Sequence, residues 1–373
     1  MRVAVYYRNE DVRLEERPVP ALQPGDLLVQ MEACGLCAGE TAEVYQLPRA
    51  PRVIGHEPTG MVVALGDGVT RFRVGDRVFA HHHVPCMSCH QCLRGRYTLC
   101  EHFHQTHLDP GGFAEYFRVP AEIVRLDTHR LPESLSFEEG TVIEPMACCY
   151  KGLRITPTNA GDTLAVVGTG FMGLCFVQLA CLTPAAQIVS IGRNEWRLAR
   201  ARAMGATKTL NPSQVDAVAE MREITEGRGA DAVFLTSPSR ASLDLAVSLV
   251  APGGTLHINA PPEDPGPHLS GYDLFFRELH VNSAYSASHL DTRAVLDLLG
   301  AGRVRAAPLI THRFGLDGVG KGIELILSRG QSLKVVIRPS LTTSPALSSR
   351  ESQTNLPKEG LPVATGSARA SGR

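Results

Sequence analysis

Four cysteines in one short stretch have the residue type and spacing of a metal site. Cys86, Cys89 and Cys92 are each separated by two residues, and Cys100 follows closely. Four thiolates about 2.3 Å from one ion form a closed tetrahedral zinc site, which leaves no position for a substrate. The alternatives are four unrelated buried cysteines or an iron–sulfur cluster, whose common spacings differ. The pattern therefore predicts a structural zinc ion.

A glycine-rich stretch later in the chain has the spacing of a dinucleotide-binding turn. Gly168, Gly170 and Gly173 flank Phe171 and Met172, after the apolar run TLAVV and before the helical pattern MGLCFVQLA. This context distinguishes the motif from a plain strand-to-helix turn. The glycines permit a tight turn, a close approach of the backbone to a pyrophosphate, and helix-on-strand packing. We expect these five residues to bind a nicotinamide dinucleotide.

The residues that would contact the adenosine ribose carry a positive charge. An acidic residue usually follows the second strand of such a unit and binds the ribose hydroxyls of NAD, but this chain has Gly192 and Arg193 there. A guanidinium favours the 2′-phosphate of NADP. We therefore expect NADP(H) to be preferred over NAD(H), with Arg197 in the same stretch as a further contact. The alternatives are ribose contacts from Asn194 and Glu195, or an Arg193 that only faces solvent.

The elements that must position these groups fall into two patterns. Short apolar runs broken by Gly, Pro and Asp predict a β-rich domain over 1–150, and alternating strand and helix patterns predict a parallel sheet with helices on both faces over 151–282. Two helices and a closing strand over 283–340 are expected to return to the first domain. Residues 341–373 are rich in Ser, Thr, Pro and Gly and predict a disordered tail.

Composition excludes several classes of function. The formal net charge is -1 and the chain has no long basic run, which argues against nucleic acid or an anionic membrane as partner. The N-terminus lacks the apolar core of a signal peptide, and no apolar stretch is long enough to span a membrane. We expect a cytoplasmic protein that acts on small molecules and keeps its ten cysteines reduced.

Three further motifs carry a family resemblance. Cys34-Gly-Leu-Cys37, Gly55-His56-Glu57 and Glu144-Pro145 are separated potential metal ligands in the β-rich region. Together with the cysteine cluster and the glycine turn, over residues 1 to about 340, the chain resembles the zinc-dependent medium-chain dehydrogenases, particularly their polyol and threonine dehydrogenases. The resemblance implies an α/β fold: a Rossmann-type doubly wound parallel sheet plus a β-rich GroES-like catalytic domain carrying two zinc sites.

The same resemblance implies a catalytic zinc ion. Its expected ligands are Cys37, His56 and Glu144, with Glu57 exchanging into the shell or acting from just behind it, while Cys34 is not a ligand. An open fourth position would take water or the substrate oxygen. The alternatives without a metal ion are that His56 is an ordinary core histidine and that Glu57 and Glu144 are surface carboxylates. A total of two zinc ions per chain is expected.

The chain departs from relatives at the positions of their proton relay. Gly39 and Ala42 replace the usual hydroxyl and imidazole, and Glu40 stands at the Asp position. Thr41, Tyr45 or a bound water is the hypothesised replacement. Lys151, where many polyol dehydrogenases carry His, is interpreted as a surface lysine rather than an anion-binding group.

Other candidate ligands are interpreted as residues that do not bind a metal ion. His81, His82 and His83 are adjacent and cannot all face one ion, so solvated or hydrogen-bonded loop residues are expected. The remaining cysteines show no ligand spacing and are expected to be small buried side chains: Cys148, Cys149, Cys175 and Cys181.

The predicted function is transfer of a hydride between NAD(P) and a secondary alcohol or ketone, with a polyol, cyclitol or similar hydroxylated molecule as substrate. The alternatives are an aldehyde or ketone reductase on another substrate class, and a non-catalytic NADPH-binding sensor of the same fold. By resemblance we expect a homodimer or homotetramer that pairs through the dinucleotide domain.

Overall fold

The computed structural model describes residues 1–237, 239–260 and 269–341. From residue 342 onward, the predicted tail lies outside the described residues. The strands are β1 (Arg2–Arg8), β2 (Asp11–Glu16), β3 (Leu27–Leu36), β4 (Arg52–Val53), β5 (Glu57–Leu65), β6 (Arg77–Ala80), β7 (Tyr116–Val119), β8 (Thr128–Arg130), β9 (Thr163–Val167), β10 (Gln187–Ile191), β11 (Lys208–Leu210), β12 (Ala230–Leu235), β13 (Val250–Ile258), β14 (His280–Ser283), β15 (Ile310–Phe314) and β16 (Lys334–Ile337).

The helices connect these strands and flank the sheets. They are α1 (Glu43–Gln46), α2 (Ala121–Leu126), α3 (Phe137–Gly140), α4 (Ile143–Arg154), α5 (Phe171–Ala180), α6 (Glu195–Ala203), α7 (Ala217–Ile224), α8 (Arg240–Leu249), α9 (Gly271–Phe276), α10 (His289–Gly300) and α11 (Val319–Leu327). Short 3₁₀ helices cover Ala38–Thr41, Leu47–Arg49, Cys92–Arg94, Tyr97–Leu99, His102–His104, Ala307–Leu309 and Leu316–Gly318. Within the described ranges, no helix is long and apolar enough to cross a membrane.

A six-stranded parallel sheet forms the second half of the chain. Its order is β11-β10-β9-β12-β13-β14, so successive strands spread outward from β9 in both directions. Every residue of β9 is buried, as expected for a central strand covered by helices on both faces. The crevice where the order reverses, between β9 and β12, is where such sheets bind dinucleotides.

The first half of the chain forms most of a second sheet, largely antiparallel and organised around β3, whose parallel pair β15 and β16 comes from the end of the described chain. This strand pairs with β5, β7 and β16, and the neighbouring β6 and β8 extend the sheet to one edge. A smaller sheet of β2, β1 and β4 packs beside it. The closing strand β16, from the end of the described chain, pairs with β3 and so belongs to this sheet. The α/β fold class predicted from the sequence is confirmed.

The α4 helix joins the two halves through a shared hydrophobic core. Its buried residues Met146 and Ala147 lie in one cluster with Phe79 of β6 and Leu164 of β9. The helix also contacts α5 and α10. The carboxyl end of β3, the start of β5 and the first turn of α4 therefore lie close to the crevice of the parallel sheet.

We predict that Gly60→Ala destabilises the sheet that carries these loops. Gly60 in β5 pairs with Met31 in β3, and a Cβ there would overlap the carbonyl oxygen of Gln30. Because a backbone oxygen in a paired strand cannot rotate away, the free energy of unfolding should fall by about 3 kcal/mol. Urea denaturation would measure it. Gly271→Ala is the matched control, since its Cβ would meet no atom within 4 Å; equal stability of both variants would contradict the prediction.

Candidate active site

The buried carboxylate of Glu40 connects the two loops that carry the expected ligands. Glu40 lies in the 3₁₀ helix that follows β3 and is only 3% exposed. Its Oε2 accepts the backbone N–H of Cys37 at 3.1 Å, and its Oε1 accepts the N–H of Gly55 at 2.6 Å. Burial opposes ionisation, but the charge of His56 and these hydrogen bonds hold the pKa of Glu40 below its ordinary value.

His56 is oriented by the same carboxylate. Its Nδ1 lies 2.9 Å from Glu40 Oε1, which leaves Nε2 as the ring nitrogen that could bind an ion in the cleft beside Cys37. Gly55 before it has φ +96°, and a Cβ there would press on the backbone of Phe113. Although burial disfavours the imidazolium, the charge of Glu40 raises the pKa of His56 well above its ordinary value. A carboxylate behind an imidazole is the usual support of a metal-binding histidine.

Glu57, the first residue of β5, completes a group of three donors. The donor atoms of Cys37, His56 and Glu57 all lie within 4.8 Å of one another. The carboxylate is fully buried and pairs with Lys334 of β16, whose Nζ lies 2.8 and 2.6 Å from its two oxygens. Burial raises the pKa of Glu57 despite this pairing. A thiolate, an imidazole and a carboxylate are a donor set that suits catalytic zinc.

Glu144 does not join that group and instead lies with two histidines. It sits in the first turn of α4, and its carboxylate forms a second group with His81 and His82, again within 4.8 Å. Cys148, one helical turn later, donates its thiol to Glu144 Oε1 at 3.5 Å. His81, expected to be solvated or hydrogen-bonded, is fully buried, and its Nδ1 lies 2.9 Å from Asp127 Oδ2.

The four-cysteine lobe has the geometry of a structural metal site. The Sγ atoms of Cys86, Cys89, Cys92 and Cys100 lie within 4.8 Å of one another. Cys89 Sγ and Cys86 Sγ lie 3.5 and 3.9 Å from Cys92 Sγ, against about 3.8 Å between sulfurs around a tetrahedral zinc ion. Hydrogen bonds from the backbone and side chain of Ser88 lower the pKa of Cys86 to about 6. The residues fit the zinc ion predicted from their spacing.

The glycine turn connects β9 to α5 at the crevice between β9 and β12. Gly168 has φ +108°, and a Cβ on Gly173 would overlap the Gly168 carbonyl oxygen, so both positions require glycine. A Cβ on Gly170 would meet no atom, which leaves the turn open toward the helix N-terminus at Phe171. Backbone N–H groups and the helix dipole there suit a pyrophosphate. Met172 follows in the first turn.

The candidate ribose contacts differ in their surroundings. Arg193 is exposed, and Gly192 packs so closely on Thr169 that a Cβ would overlap it. The side chain of Asn194 caps α6, and Glu195 Oε1 accepts from Asn211 at 2.6 Å. Both residues proposed as alternative ribose contacts are therefore engaged elsewhere.

Arg197 was expected to contact the cofactor, but its guanidinium has partners within the protein. Its guanidinium donates to the carbonyl oxygens of Gly330 and Ser332 at 2.8 and 3.0 Å. It therefore connects α6 to the loop before β16, and the sequence could not show this because the partners are distant in the chain.

Thr41 and Tyr45, hypothesised to form a proton relay, lie in surroundings that do not suit that role. The Thr41 hydroxyl donates to the carbonyl of Ala38 at 2.8 Å within its own short helix, and Tyr45 is 58% exposed. These surroundings do not support a proton relay through either residue. The interpretation of Lys151 as a surface lysine is wrong, because its Nζ donates to Thr98 Oγ1 at 2.6 Å and to the Tyr285 carbonyl at 2.9 Å.

The other cysteines have mixed environments. Cys149 and Cys175 are buried in the core as expected, and Cys148 is half-buried. Cys181 is exposed, so the expectation of a buried side chain is wrong for this residue. The sequence pattern predicted Lys334 only as part of a closing strand and indicated no role for its side chain. The signal was a lysine at the start of a strand whose every residue is buried.

Two family models match the chain. Residues 23–129 match the alcohol dehydrogenase GroES-like domain, and residues 172–301 match the zinc-binding dehydrogenase domain. The chain is 32% identical to an L-threonine 3-dehydrogenase of Bacillus licheniformis, covering 86% of this chain and 94% of the relative. It is 30% identical to a sorbitol dehydrogenase of Bacillus subtilis, covering 91% and 98%. The chain belongs to the zinc-dependent medium-chain dehydrogenase family.

A solved structure agrees with this assignment. A protein from Sinorhizobium meliloti 1021, bound to NADP, superposes with a TM-score of 0.81 at 28% identity, covering 91% of this chain and 99% of that one. The resemblance stated from the sequence motifs is confirmed.

We predict that Lys334→Met leaves an uncompensated carboxylate in the core. Because Glu57 is fully buried and Lys334 is its ion-pair partner, the free energy of unfolding should fall by about 3–5 kcal/mol. The double variant Glu57→Gln/Lys334→Met should recover part of this loss, since no charge remains. Urea unfolding would measure both. The exposed Lys321 supplies the control Lys321→Met; if Lys334→Met unfolds at the same urea concentration as this control, the ion pair adds no stability.

Proposed function

We propose that the protein transfers a hydride between NAD(P) and a secondary alcohol or its ketone, with a polyol, cyclitol or similar hydroxylated molecule as substrate. The observation that carries the proposal is the convergence of Cys37, His56 and Glu57 beside the crevice of a dinucleotide-type sheet. Lys334 connects this donor group to the crevice, since it pairs with Glu57 and its Nζ lies 4.3 Å from the ring centroid of Phe171 at the glycine turn. Sorbitol and threonine dehydrogenases among the relatives favour a hydroxylated substrate.

Each side chain has a distinct part in this chemistry. Cys37 and His56, with Glu57 or Glu144, would hold a zinc ion, which when bound polarises the substrate oxygen and lowers the pKa of an alcohol. Glu40 fixes the imidazole of His56, and Lys334 holds the Glu57 carboxylate in place. The turn at Gly168, with Gly170 and Met172 beside it, would bind the pyrophosphate of NAD(P), which would supply or accept the hydride. The burial of Glu40, Glu57 and Lys334 limits the access of water to this site.

We propose two zinc ions per chain, one held by the Cys37 and His56 group in the cleft and one in the four-cysteine lobe. The support is the donor chemistry of each group: one thiolate with nitrogen and oxygen donors in the cleft, and four thiolates in the lobe. All ten cysteines are unpaired thiols, which agrees with a reducing compartment such as the cytoplasm.

We also propose domain boundaries and an oligomer. The boundaries at 150, 282 and 340 are supported by a parallel sheet running from Thr163 to Ser283, although α4 crosses the first and β14 the second. Association through the dinucleotide domain into a homodimer or homotetramer is supported by β14, an outer strand of that sheet with exposed residues, and by exposed aromatic side chains on the adjacent α9: Tyr272, Phe275 and Phe276.

The alternative functions differ in the direction of the reaction or in whether the protein catalyses a reaction. A reductase acting on an aldehyde or ketone would use the same groups, and its direction depends on cofactor ratios. A non-catalytic NADPH-binding sensor is disfavoured because Cys37, His56 and Glu57 retain converging donor atoms.

The test is a substrate panel with measured zinc content. Polyols, cyclitols, amino alcohols and simple alcohols would be offered with NAD and with NADP, and formation of reduced cofactor followed by absorbance. Cys37→Ser should lower kcat at least about a thousandfold, because Lewis-acid assistance is worth several kcal/mol. Cys34→Ala, at a cysteine outside the donor group, should keep both activity and zinc. A zinc-loaded protein that reduces neither cofactor with any alcohol would favour the sensor.

We predict that Arg193 selects NADP. If the exposed guanidinium contacts the 2′-phosphate, Arg193→Ala should raise the KM for NADP about 10- to 100-fold, the value of a charged hydrogen bond, with little change for NAD. Steady-state kinetics with both cofactors would measure this. Arg202→Ala, on the exposed face of α6, is the control. Equal increases in KM for both cofactors would contradict a role in 2′-phosphate recognition.

A further inference from the structure

A cluster of basic side chains lies at the cleft and has no part in the chemistry above. It consists of Arg49, at the end of a short 3₁₀ helix, Arg52 in β4, and His107. We propose that this arginine cluster binds an anionic oxygen group of the substrate, a phosphate or a carboxylate. The inference rests on the proposed function and deepens it, because it makes the substrate a charged hydroxylated compound rather than a neutral polyol.

The position of Arg52 brings it close to the metal-type donors. It lies four positions before His56, at the start of β4. Burial and then the charge of Arg49 lower the pKa of Arg52, whereas the charge of Glu40 raises it. Interactions between charges are largely screened beyond about 10 Å in physiological salt. Arg52 therefore lies near both Arg49 and the carboxylate that orients His56.

Arg49 lies at the same cleft. The link is Tyr285, an exposed residue that follows β14. Burial and the charge of Glu144 raise the pKa of Tyr285, whereas the charges of His56 and Arg49 lower it. Glu144 and His56 belong to the two donor groups of the cleft, so Tyr285 and Arg49 border the same opening.

A row of imidazole rings connects His56 to the third member of the cluster. The ring centroids lie 4.8 Å apart for His56 and His82, 4.1 Å for His82 and His83, and 5.7 Å for His83 and His107. His107 is the exposed end of this row. Partial burial and then the charges of the two arginines lower its pKa. The row therefore leads from the donor group to the arginine cluster.

The two arginines lack an acidic partner that would neutralise them. Within the described ranges, neither guanidinium makes an ion pair or a hydrogen bond. The carboxylate that acts on Arg52 is that of Glu40, which is already engaged with two backbone N–H groups and with His56. Because like charges repel and a partly buried guanidinium loses hydration, a bound anion would stabilise this arrangement.

The chemistry of the guanidinium determines the class of ligand. Its planar fork of N–H groups matches two oxygens of a carboxylate or a phosphate. Two such forks in one short segment, with an imidazole beside them, suit a group with at least two anionic oxygens. A neutral polyol offers only hydroxyl groups and would leave both charges uncompensated. The cluster therefore favours a polyol phosphate or a hydroxy acid.

The kinetic experiment compares three compounds with one carbon skeleton: glucitol, glucitol 6-phosphate and gluconate. Their kcat/KM values are measured on the zinc-loaded wild type, Arg52→Gln and Arg125→Gln; Arg125, exposed on α2, is the matched control. We expect the wild type to prefer a charged compound, and the preferred one identifies the anion. In Arg52→Gln the charged-to-neutral ratio of kcat/KM should fall about 10- to 100-fold, the value of a charged hydrogen bond, and in Arg125→Gln it should not change.

A binding measurement separates failure of this inference from failure of the proposed function. Inorganic phosphate and acetate are titrated by calorimetry into protein saturated with NADP, so that the pyrophosphate site is already filled. Arg52→Gln should bind the preferred anion at least about tenfold more weakly than the wild type and Arg125→Gln. This loss, in a protein that oxidises no alcohol, would reject hydride transfer and still support the anion site.

Three results would overturn the inference. A wild type that neither prefers a charged compound nor binds either anion would mean that no anion site exists. Unchanged ratios and affinities in Arg52→Gln would mean that its guanidinium only faces solvent. An equal decrease in Arg125→Gln would reflect a general loss of positive charge. If Arg52→Gln does not fold, as judged by circular dichroism, Arg49→Gln at an exposed position supplies the same comparison and the same expected decrease.

Discussion

The geometry of the cleft depends on one buried carboxylate, that of Glu40. It accepts N–H groups from Cys37 and Gly55 and contacts the ring of His56, so it joins the loop after β3 to the loop before β5. The first loop contains only a four-residue 3₁₀ helix, and residues 54–56 of the second belong to no helix or strand. Charge-assisted hydrogen bonds in a buried place are among the stronger polar interactions in proteins, and here they hold the two loops together.

Most of the fold could be predicted from the sequence because its signals are local. The buried run of β9 and the glycines at Gly168 and Gly173 determine a strand, a turn and a helix within a few residues of chain. The pattern of alternating strands and helices then permits few topologies. The pairing of β16 with β3 was predicted only in outline, because nothing local specifies which strand a closing strand joins.

The site was predictable where its residues share a motif, and unpredictable where they meet across the chain. Cys37, His56 and Glu57 lie in recognisable stretches and do converge. The Lys334 partner of Glu57 is 277 positions away, and Arg197 contacts residues more than a hundred positions later. The burial of His81 was not predicted, because three consecutive histidines were treated as equivalent. The structure separates them: one is fully buried, one faces His56, and one bonds to a backbone carbonyl.

The concentration of buried carboxylates beside the cleft explains why metal binding and folding should be coupled here. Glu40, Glu57, Asp127 and Glu144 are each at most 5% exposed. Removing an anion from water costs several kcal/mol, and a cation nearby must compensate. Lys334 does so for Glu57, and imidazoles contact the other three carboxylates. An imidazole is a weaker source of charge than a divalent ion. The carboxylates that would stabilise a bound cation are therefore the ones that make the cation-free fold less stable.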